Sequence, residues 1–234
     1  MSIHAAAGFA PKYASPVARA KIGAAPDDGL SAIQALGQLA HYARDTTIFS
    51  DGDDALYAYK IVKGTVRLCK MLSDGRRQIA EFLRAGDFFG FEWRDAYSLT
   101  AEALEDTVVV RVPRARLDRL GEERRDVQHM LMSLLCNDLC VAQNHLLLLG
   151  RQTARERVVS FVLALAARNK AKSGDTLAVP MCRQDIADYL GLTIETVCRA
   201  ISELKRARLI GVPNRTQIVV LNLAALREIA GHDA

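Results

Sequence analysis

The spacing of apolar residues divides the chain into three segments, and the first has the pattern of short β-strands. From about Gly29 to Pro113, runs rich in β-branched and aromatic residues alternate with glycines that recur every eleven or twelve residues between 52 and 86. The dipeptide Asp74-Gly75 is typical of a two-residue hairpin turn in which both residues have positive φ. A further apolar run occupies residues 107–112. Evenly spaced short strands predict a β-roll of the jelly-roll kind over residues 29–113.

The second segment, residues 114–150, changes to a helical period. Its apolar residues are spaced alternately three and four apart, at Met132, Leu135, Leu139, Ala142, Leu146 and Leu149. This spacing is that of the a and d positions of a coiled coil, which predicts a long dimerisation helix. A neighbouring apolar face, with Val127, Met130, Leu131 and Leu134, is expected to pack on the β-roll. The alternative is a helix that is buried wholly within one chain.

The third segment, residues 151–234, predicts a winged helix-turn-helix. A helix over 153–169 and a strand over 176–179 precede two short helices, which Gly191 separates. A residue without Cβ suits the left-handed turn at this point. Two strands around a turn at Asn214-Arg215 then form the wing. The whole chain is therefore expected to have an α+β fold with a β-roll, a dimerisation helix and a DNA-binding domain.

The start of the second short helix carries residue types that can read base edges. Thr193 is a suitable N-cap, and Arg199 can donate two hydrogen bonds to guanine while Glu195 accepts one from cytosine. An ordinary surface ion pair between these two residues is the alternative. Arg215 in the wing is expected to contact a phosphate of the DNA backbone. The full predicted DNA-binding set is Arg183, Thr193, Ile194, Glu195, Thr196, Cys198, Arg199 and Arg215.

Charge is distributed unevenly along the chain, which has a net charge of +4. From Arg151 onward there are 13 Lys and Arg against 8 Asp and Glu, whereas the preceding residues hold 18 against 19. A basic C-terminal part favours a polyanionic partner, here double-stranded DNA.

Cysteine usage and hydropathy indicate the compartment. The five cysteines are odd in number and include no Cys-x-x-Cys pair, which favours a reducing cytoplasm over a disulfide framework. No run of eighteen apolar residues is present, so we expect no membrane span. Residues 1–28 lack the apolar core of a secretory signal and are predicted to form a flexible arm.

The stretch from Asp185 to Arg199, DIADYLGLTIETVCR, resembles the helix-turn-helix of the Crp/Fnr family of bacterial transcription regulators. The resemblance spans roughly residues 30–230 and implies a β-roll sensor, a dimerisation helix and a winged helix-turn-helix. Within the family it is most similar to the Fnr and FixK branches. The Glu-x-x-Ser-Arg pattern of Fnr is matched by Glu195 and Arg199, with Cys198 in place of the serine. It implies a TTGA…TCAA palindrome and contacts with RNA polymerase.

Two departures from the family concern the sensor. The chain has no cysteine before Cys69, so the N-terminal iron–sulfur site of Fnr has no counterpart. In the cyclic-AMP-binding members an Arg-Ser-Ala or Arg-Thr-Ala trio neutralises the phosphate, whereas here the aligned residues are Leu99-Thr100-Ala101. These departures favour a regulator without a bound cofactor. They point to the FixK branch, whose members typically activate genes for low-oxygen growth or nitrogen fixation.

Three hypotheses remain open, two about how activity is controlled and one about a different function. Cys182 lies at a helix N-terminus beside Arg183, which favours a thiolate, and its oxidation is predicted to weaken DNA binding. A ligand- or haem-gated regulator is the alternative, with His41 and Cys69 as conceivable haem ligands. A cupin-like metalloenzyme is a remote alternative. A cupin metal site needs clustered histidines and carboxylates, and residues 50–110 contain no histidine.

Overall fold

A computed structural model describes residues 32–33, 35–92 and 94–231 of the chain. It confirms the α+β fold class, with a β-rich N-terminal domain, a long helix and a C-terminal winged helix-turn-helix. The arm predicted for residues 1–28 lies outside the described residues.

The N-terminal domain consists of two four-stranded antiparallel sheets. One sheet has the strand order β1-β8-β3-β6 and the other β2-β7-β4-β5. The strands are β1 (Gln38–Tyr42), β2 (Thr47–Phe49), β3 (Tyr57–Lys63), β4 (Thr65–Met71), β5 (Arg77–Arg84), β6 (Phe88–Phe89), β7 (Thr100–Ala103) and β8 (Thr107–Pro113).

Aromatic rings from both sheets fill the interior of the β-roll. Phe49 from β2 stacks on Tyr97 with ring centroids 3.7 Å apart, and it also contacts Tyr59 on β3 and Phe89 on β6. All four side chains are buried. The two sheets are therefore held together by direct aromatic packing across the centre of the domain.

The β4–β5 hairpin forms where the sequence predicts it, but its turn differs in type. Gly75 has φ +82°, whereas Asp74 is not among the residues with positive φ. The Gly75 amide donates to the Leu72 carbonyl at 2.9 Å, and the Leu72 amide donates to the Arg76 carbonyl at 2.8 Å. The prediction of positive φ at both residues is thus wrong: the turn is one residue longer, so only its last position needs a left-handed backbone.

The segment expected to be one dimerisation helix over 114–150 is two helices, α1 (Arg114–Glu123) and α2 (Arg125–Arg151). Arg124 separates them with an extended backbone at φ −126°, ψ 109°. Helix α1 packs on the β-roll through Leu117, and the break lets α2 leave in a new direction. The heptad pattern could not show this break, since the seam begins only at Met132.

Helix α2 has a buried face and an exposed face, as its sequence predicts. Val127, Met130 and Leu134 are buried in a core that includes β8 residues. The exposed large apolar side chains of the predicted seam are Met132, Leu135, Leu139 and Leu146. Ala142 is also exposed, whereas Leu149 is half-buried and packs on the core of the C-terminal domain. The end of the seam therefore turns toward its own chain.

The C-terminal domain surrounds a helix that is buried continuously over residues 158–166. Its elements are α3 (Ala154–Arg168), β9 (Thr176–Ala178), α4 (Arg183–Leu190), α5 (Ile194–Arg206), β10 (Ile210–Asn214), β11 (Gln217–Val220) and α6 (Leu223–Ile229). Thr153 begins α3 with a capping box, in which the Thr153 amide donates to Glu156 Oε2 at 2.8 Å. The three strands form an antiparallel sheet in the order β10-β11-β9.

No helix within the described part of the chain is both long enough and apolar enough to cross a membrane. Over the same residues, no group of three or more His, Cys, Asp or Glu side chains could hold a metal ion.

Candidate nucleic-acid interface

Helices α4 and α5 are joined by a tight turn that the sequence specifies at two positions. Gly191 ends α4 with φ +61°, ψ 42°, the left-handed conformation that glycine adopts without strain. Thr193 then caps α5, since its Oγ1 accepts from the Thr196 amide at 3.3 Å. Thr196 is half-buried, and its own Oγ1 lies 3.1 Å from that of Thr193. The capping roles read from the sequence are both present.

The inner stripe of α5 fixes which side chains face outward. Val197, Ile201 and Leu204 are buried against α3 and α4, as their spacing predicts. Glu195, Cys198 and Arg199 are exposed on the opposite side of the first two turns. These three side chains lie on one accessible ridge at the N-terminal end of the helix.

Ile194 does not belong to this ridge. The sequence-based prediction placed it among the exposed residues, but it is half-buried and packs on the core of the C-terminal domain. An apolar side chain at the first position of α5 gains more from covering the core than from facing water. Its predicted contact with a base edge is therefore not supported by the structure.

Glu195 is held in its ionised form. Hydrogen bonding to its own backbone amide and to Thr193, together with the charge of Arg199, lowers the pKa of the Glu195 carboxyl. An ionised carboxylate has acceptors only, which is what pairing with the amino group of cytosine requires. Lys205 and Arg206 supply positive charge in the last turn of the same helix.

Two further arginines flank the ridge. Arg215 is exposed in the wing turn, which Asn214 organises by accepting from the Thr216 amide at 2.9 Å. Arg183 is half-buried at the start of α4, and its Nη1 is buried without a hydrogen-bond partner among the described residues. A buried guanidinium nitrogen without a partner is costly and is stabilised by an incoming anion.

Cys182 caps α4, but the structure overturns the argument for a thiolate there. Its Sγ accepts from the Asp185 amide at 3.4 Å, which gives this cysteine the place that Ser or Thr usually takes. Partial burial of the sulfur, followed by the Asp185 carboxylate beside it, raises the pKa of the Cys182 thiol. The helix N-terminus and Arg183 do not outweigh these effects, so the expectation of a lowered pKa is wrong.

The two conceivable haem ligands lie on different sheets of the β-roll. His41 is exposed on β1, and Cys69 is buried on β4 with its Sγ 3.5 Å from Glu102 Oε2. Burial and the neighbouring Glu102 raise the pKa of the Cys69 thiol to about 11. Because metal ligation requires the thiolate, this environment disfavours Cys69 as a haem ligand.

Sequence reasoning missed a cluster of polar side chains that links the β-roll to α4. Asp185, almost fully buried, accepts from Arg67 Nη1 at 2.8 Å and from Arg77 Nη2 at 2.7 Å. These partners lie 118 and 108 residues away in the chain. The only sequence signal for this cluster was Asp185 at the third position of α4. An acidic residue there ordinarily indicates a helix cap, so it did not point to distant partners.

Two family models match the chain. Residues 156–229 match the Crp-like helix-turn-helix domain, and residues 39–124 match the cyclic nucleotide-binding domain. These matches coincide with the winged domain and with the β-roll followed by α1.

Individual relatives cover most of the chain. The nitrogen fixation regulation protein FixK of Azorhizobium caulinodans is 42% identical over 200 residues, which is 84% of this chain and 81% of the relative. FixK of Rhizobium meliloti is 38% identical over 82% of this chain and 86% of the relative. The solved structure of FixK2 from Bradyrhizobium japonicum matches with a TM-score of 0.79 and 39% identity, covering 85% of this chain and 99% of that one.

Proposed function

Because the chain belongs to the Crp/Fnr family of transcription regulators, we propose that it activates transcription as a homodimer on a TTGA…TCAA-type palindrome. The two copies meet along the exposed apolar seam of α2, and each copy inserts α5 into the major groove of one half-site.

The observation that carries this proposal is the ridge of Glu195, Cys198 and Arg199 at the capped start of α5. Residues at the N-terminal end of a recognition helix are those that reach base edges. Arg199 donates to O6 and N7 of guanine, and Glu195 accepts from N4 of cytosine. Arg183 and Arg215 bind phosphates on either side, which positions the helix without reading sequence.

DNA binding is proposed to need no cofactor. The rings of Phe49, Tyr59, Phe89 and Tyr97 occupy the centre of the β-roll, which leaves little room for a ligand there. Thr100, in the trio aligned with the phosphate-binding residues of other members, already accepts from the Asp51 amide at 3.0 Å. A nucleotide phosphate bound there would have to displace this contact and would meet no arginine of the trio.

The proposed target genes serve nitrogen fixation or low-oxygen metabolism. The names of the relatives above support the first, since both are nitrogen fixation regulation proteins. Activation implies contact with RNA polymerase once both half-sites are occupied.

The test is binding of the purified, reduced protein, with nothing added, to a duplex carrying TTGA…TCAA. We expect two chains per duplex and an affinity about 10³-fold or more above that for a duplex with the G·C pairs exchanged. Fluorescence anisotropy measures the affinity, and analytical ultracentrifugation of the complex gives the number of chains. Equal affinity for both duplexes, or specific binding only after an effector is added, would contradict the proposal in its cofactor-free form.

Oxidation of Cys182 is proposed to weaken this binding. Cys182 is exposed as a residue, with its partly buried sulfur next to Asp185 at the start of the helix-turn-helix, so a sulfinate there adds negative charge near the DNA and beside a carboxylate. Because the thiol pKa is raised, we expect slow oxidation that needs excess peroxide.

Peroxide treatment of the parent and of Cys182→Ser tests this hypothesis. Serine keeps the cap, so the variant should retain DNA binding. After peroxide treatment, its affinity for the duplex should be at least about tenfold higher than that of the treated parent. Equal loss in both proteins would rule out Cys182 and point to another group, such as Cys198.

A further inference from the structure

We propose that Arg67 and Arg77 of the β-roll are positioning residues that hold the helix-turn-helix in its DNA-binding orientation. The inference rests on the proposed function. It extends that function to residues outside the ridge of Glu195, Cys198 and Arg199. The contact that carries it is the Asp185 carboxylate, whose side chain is only 3% exposed.

The two oxygens of Asp185 serve two different purposes. Oδ2 accepts from the Cys182 amide at 3.1 Å and so caps α4 from within. Oδ1 accepts from Arg67 on β4 at 2.8 Å and from Arg77 on β5 at 2.7 Å. One buried side chain therefore fixes both the start of α4 and its place against the β-roll. Charge-assisted hydrogen bonds at these distances are the stronger kind.

Each arginine is itself held by a second carboxylate. Arg67 Nε donates to Glu102 Oε2 on β7 at 2.8 Å, which fixes this guanidinium to the sheet. Arg77 Nε donates to Asp188 Oδ2, one turn further along α4, also at 2.8 Å. Two contacts along α4, at Asp185 and Asp188, define the direction of the helix as well as its position.

An aromatic contact also holds α4, one turn after Asp185. The buried Tyr189 ring stacks on His145 of α2 with centroids 4.3 Å apart and meets Phe82 of β5 at 5.1 Å. Helix α4 is thus joined to both the β-roll and the helix that carries the dimer seam. Since α4 and α5 share one core, any tilt of α4 moves the reading ridge.

This geometry matters because a dimer reads two half-sites about 34–36 Å apart, so both recognition helices must be correctly spaced before binding. A helix-turn-helix that can tilt must become ordered when it binds DNA, and the entropy lost in this ordering reduces the affinity. Arg67 and Arg77 are engaged by carboxylates and mostly shielded, so they act through α4 and not by touching phosphate.

The test compares Arg77→Gln with Arg76→Gln in the full-length dimer. Arg76 is the neighbouring residue, its side chain is 79% exposed, and among the described residues it pairs with Asp74 in the same hairpin. We expect Arg77→Gln to bind the palindrome about tenfold more weakly, with an unchanged dependence of log affinity on log salt concentration. Amide hydrogen exchange in α4 should be faster in Arg77→Gln, and Arg76→Gln should match the parent in both measurements.

Parental affinity together with parental exchange in α4 would overturn the inference. So would a salt slope lowered by about one per half-site, since this would place Arg77 on a phosphate. If Arg77→Gln does not fold, Arg77→Lys keeps the charge, loses the paired hydrogen bonds, and must show the same effects in weaker form. Lack of specific binding by the parent would instead contradict the proposed function, and hydrogen exchange in α4 would still decide whether Arg77 holds this helix.

Discussion

Leu139→Glu is expected to separate the proposed dimer into monomers and to reduce binding to the palindrome by about 10²- to 10⁴-fold. Leu139 lies at the centre of the apolar seam and is 59% exposed in the single chain, so its side chain is available to a second copy. In a symmetric pair the substitution places two carboxylates opposite each other across the seam, where neither has a partner.

The loss of DNA binding follows from the loss of pairing. In a dimer, binding of one helix-turn-helix at the first half-site gives the other a high local concentration at the second half-site. A monomer has no such advantage. Removal of a buried leucine alone costs about 2–5 kcal/mol, and the unpaired charges add to this in both copies. Sedimentation velocity measures the oligomeric state, and anisotropy measures the affinity for the same duplex.

Cys140→Glu provides the matched control. Cys140 is exposed on the same helix, one residue further along, and lies outside the a and d positions of the seam. The same new charge there should leave a dimer with parental affinity. A Leu139→Glu protein that stays dimeric would show that the copies meet elsewhere, and a Cys140→Glu monomer would show that charge alone, and not its place in the seam, separates them.

The sequence predicts best those features that neighbouring residues encode. Gly191 and Thr193 specify the turn and the cap of the helix-turn-helix through their own backbone and side-chain chemistry, and both roles are confirmed. The two faces of α2 follow from a period of 3.5 residues and needed no knowledge of the rest of the fold. Local pattern was therefore sufficient for the helix-turn-helix and for the exposed face of α2, except at Leu149.

Features that depend on distant residues could not be predicted in this way. Nothing near Asp185 in the sequence indicates that Arg67 and Arg77 bind it, because the topology alone brings them together. The raised pKa of Cys182 arises mainly from burial, which depends on the fold and is not visible in the sequence, and the nearby Asp185 carboxylate adds to it. Ile194 is likewise half-buried because the core lies beneath it.

Arg199→Ala is expected to remove the guanine-specific part of the discrimination at the G·C pair of each half-site. The exposed guanidinium at the start of α5 is proposed to donate two hydrogen bonds to guanine, and such a pair contributes about 1–3 kcal/mol of discrimination. Because the dimer reads two half-sites, the specific affinity should fall by at least about 30-fold, while binding to the exchanged duplex changes little. Competition anisotropy with the two duplexes measures both quantities in one series.

Arg215→Ala distinguishes base reading from backbone contact by a matched loss of one positive charge. Arg215 is exposed in the wing and is proposed to bind phosphate, so its loss should weaken both duplexes alike. It should also reduce the magnitude of the salt slope by about one per half-site. If Arg199→Ala weakened both duplexes equally, Arg199 would be a phosphate contact, and the ridge of α5 would have to read its site through Glu195 and Cys198 alone.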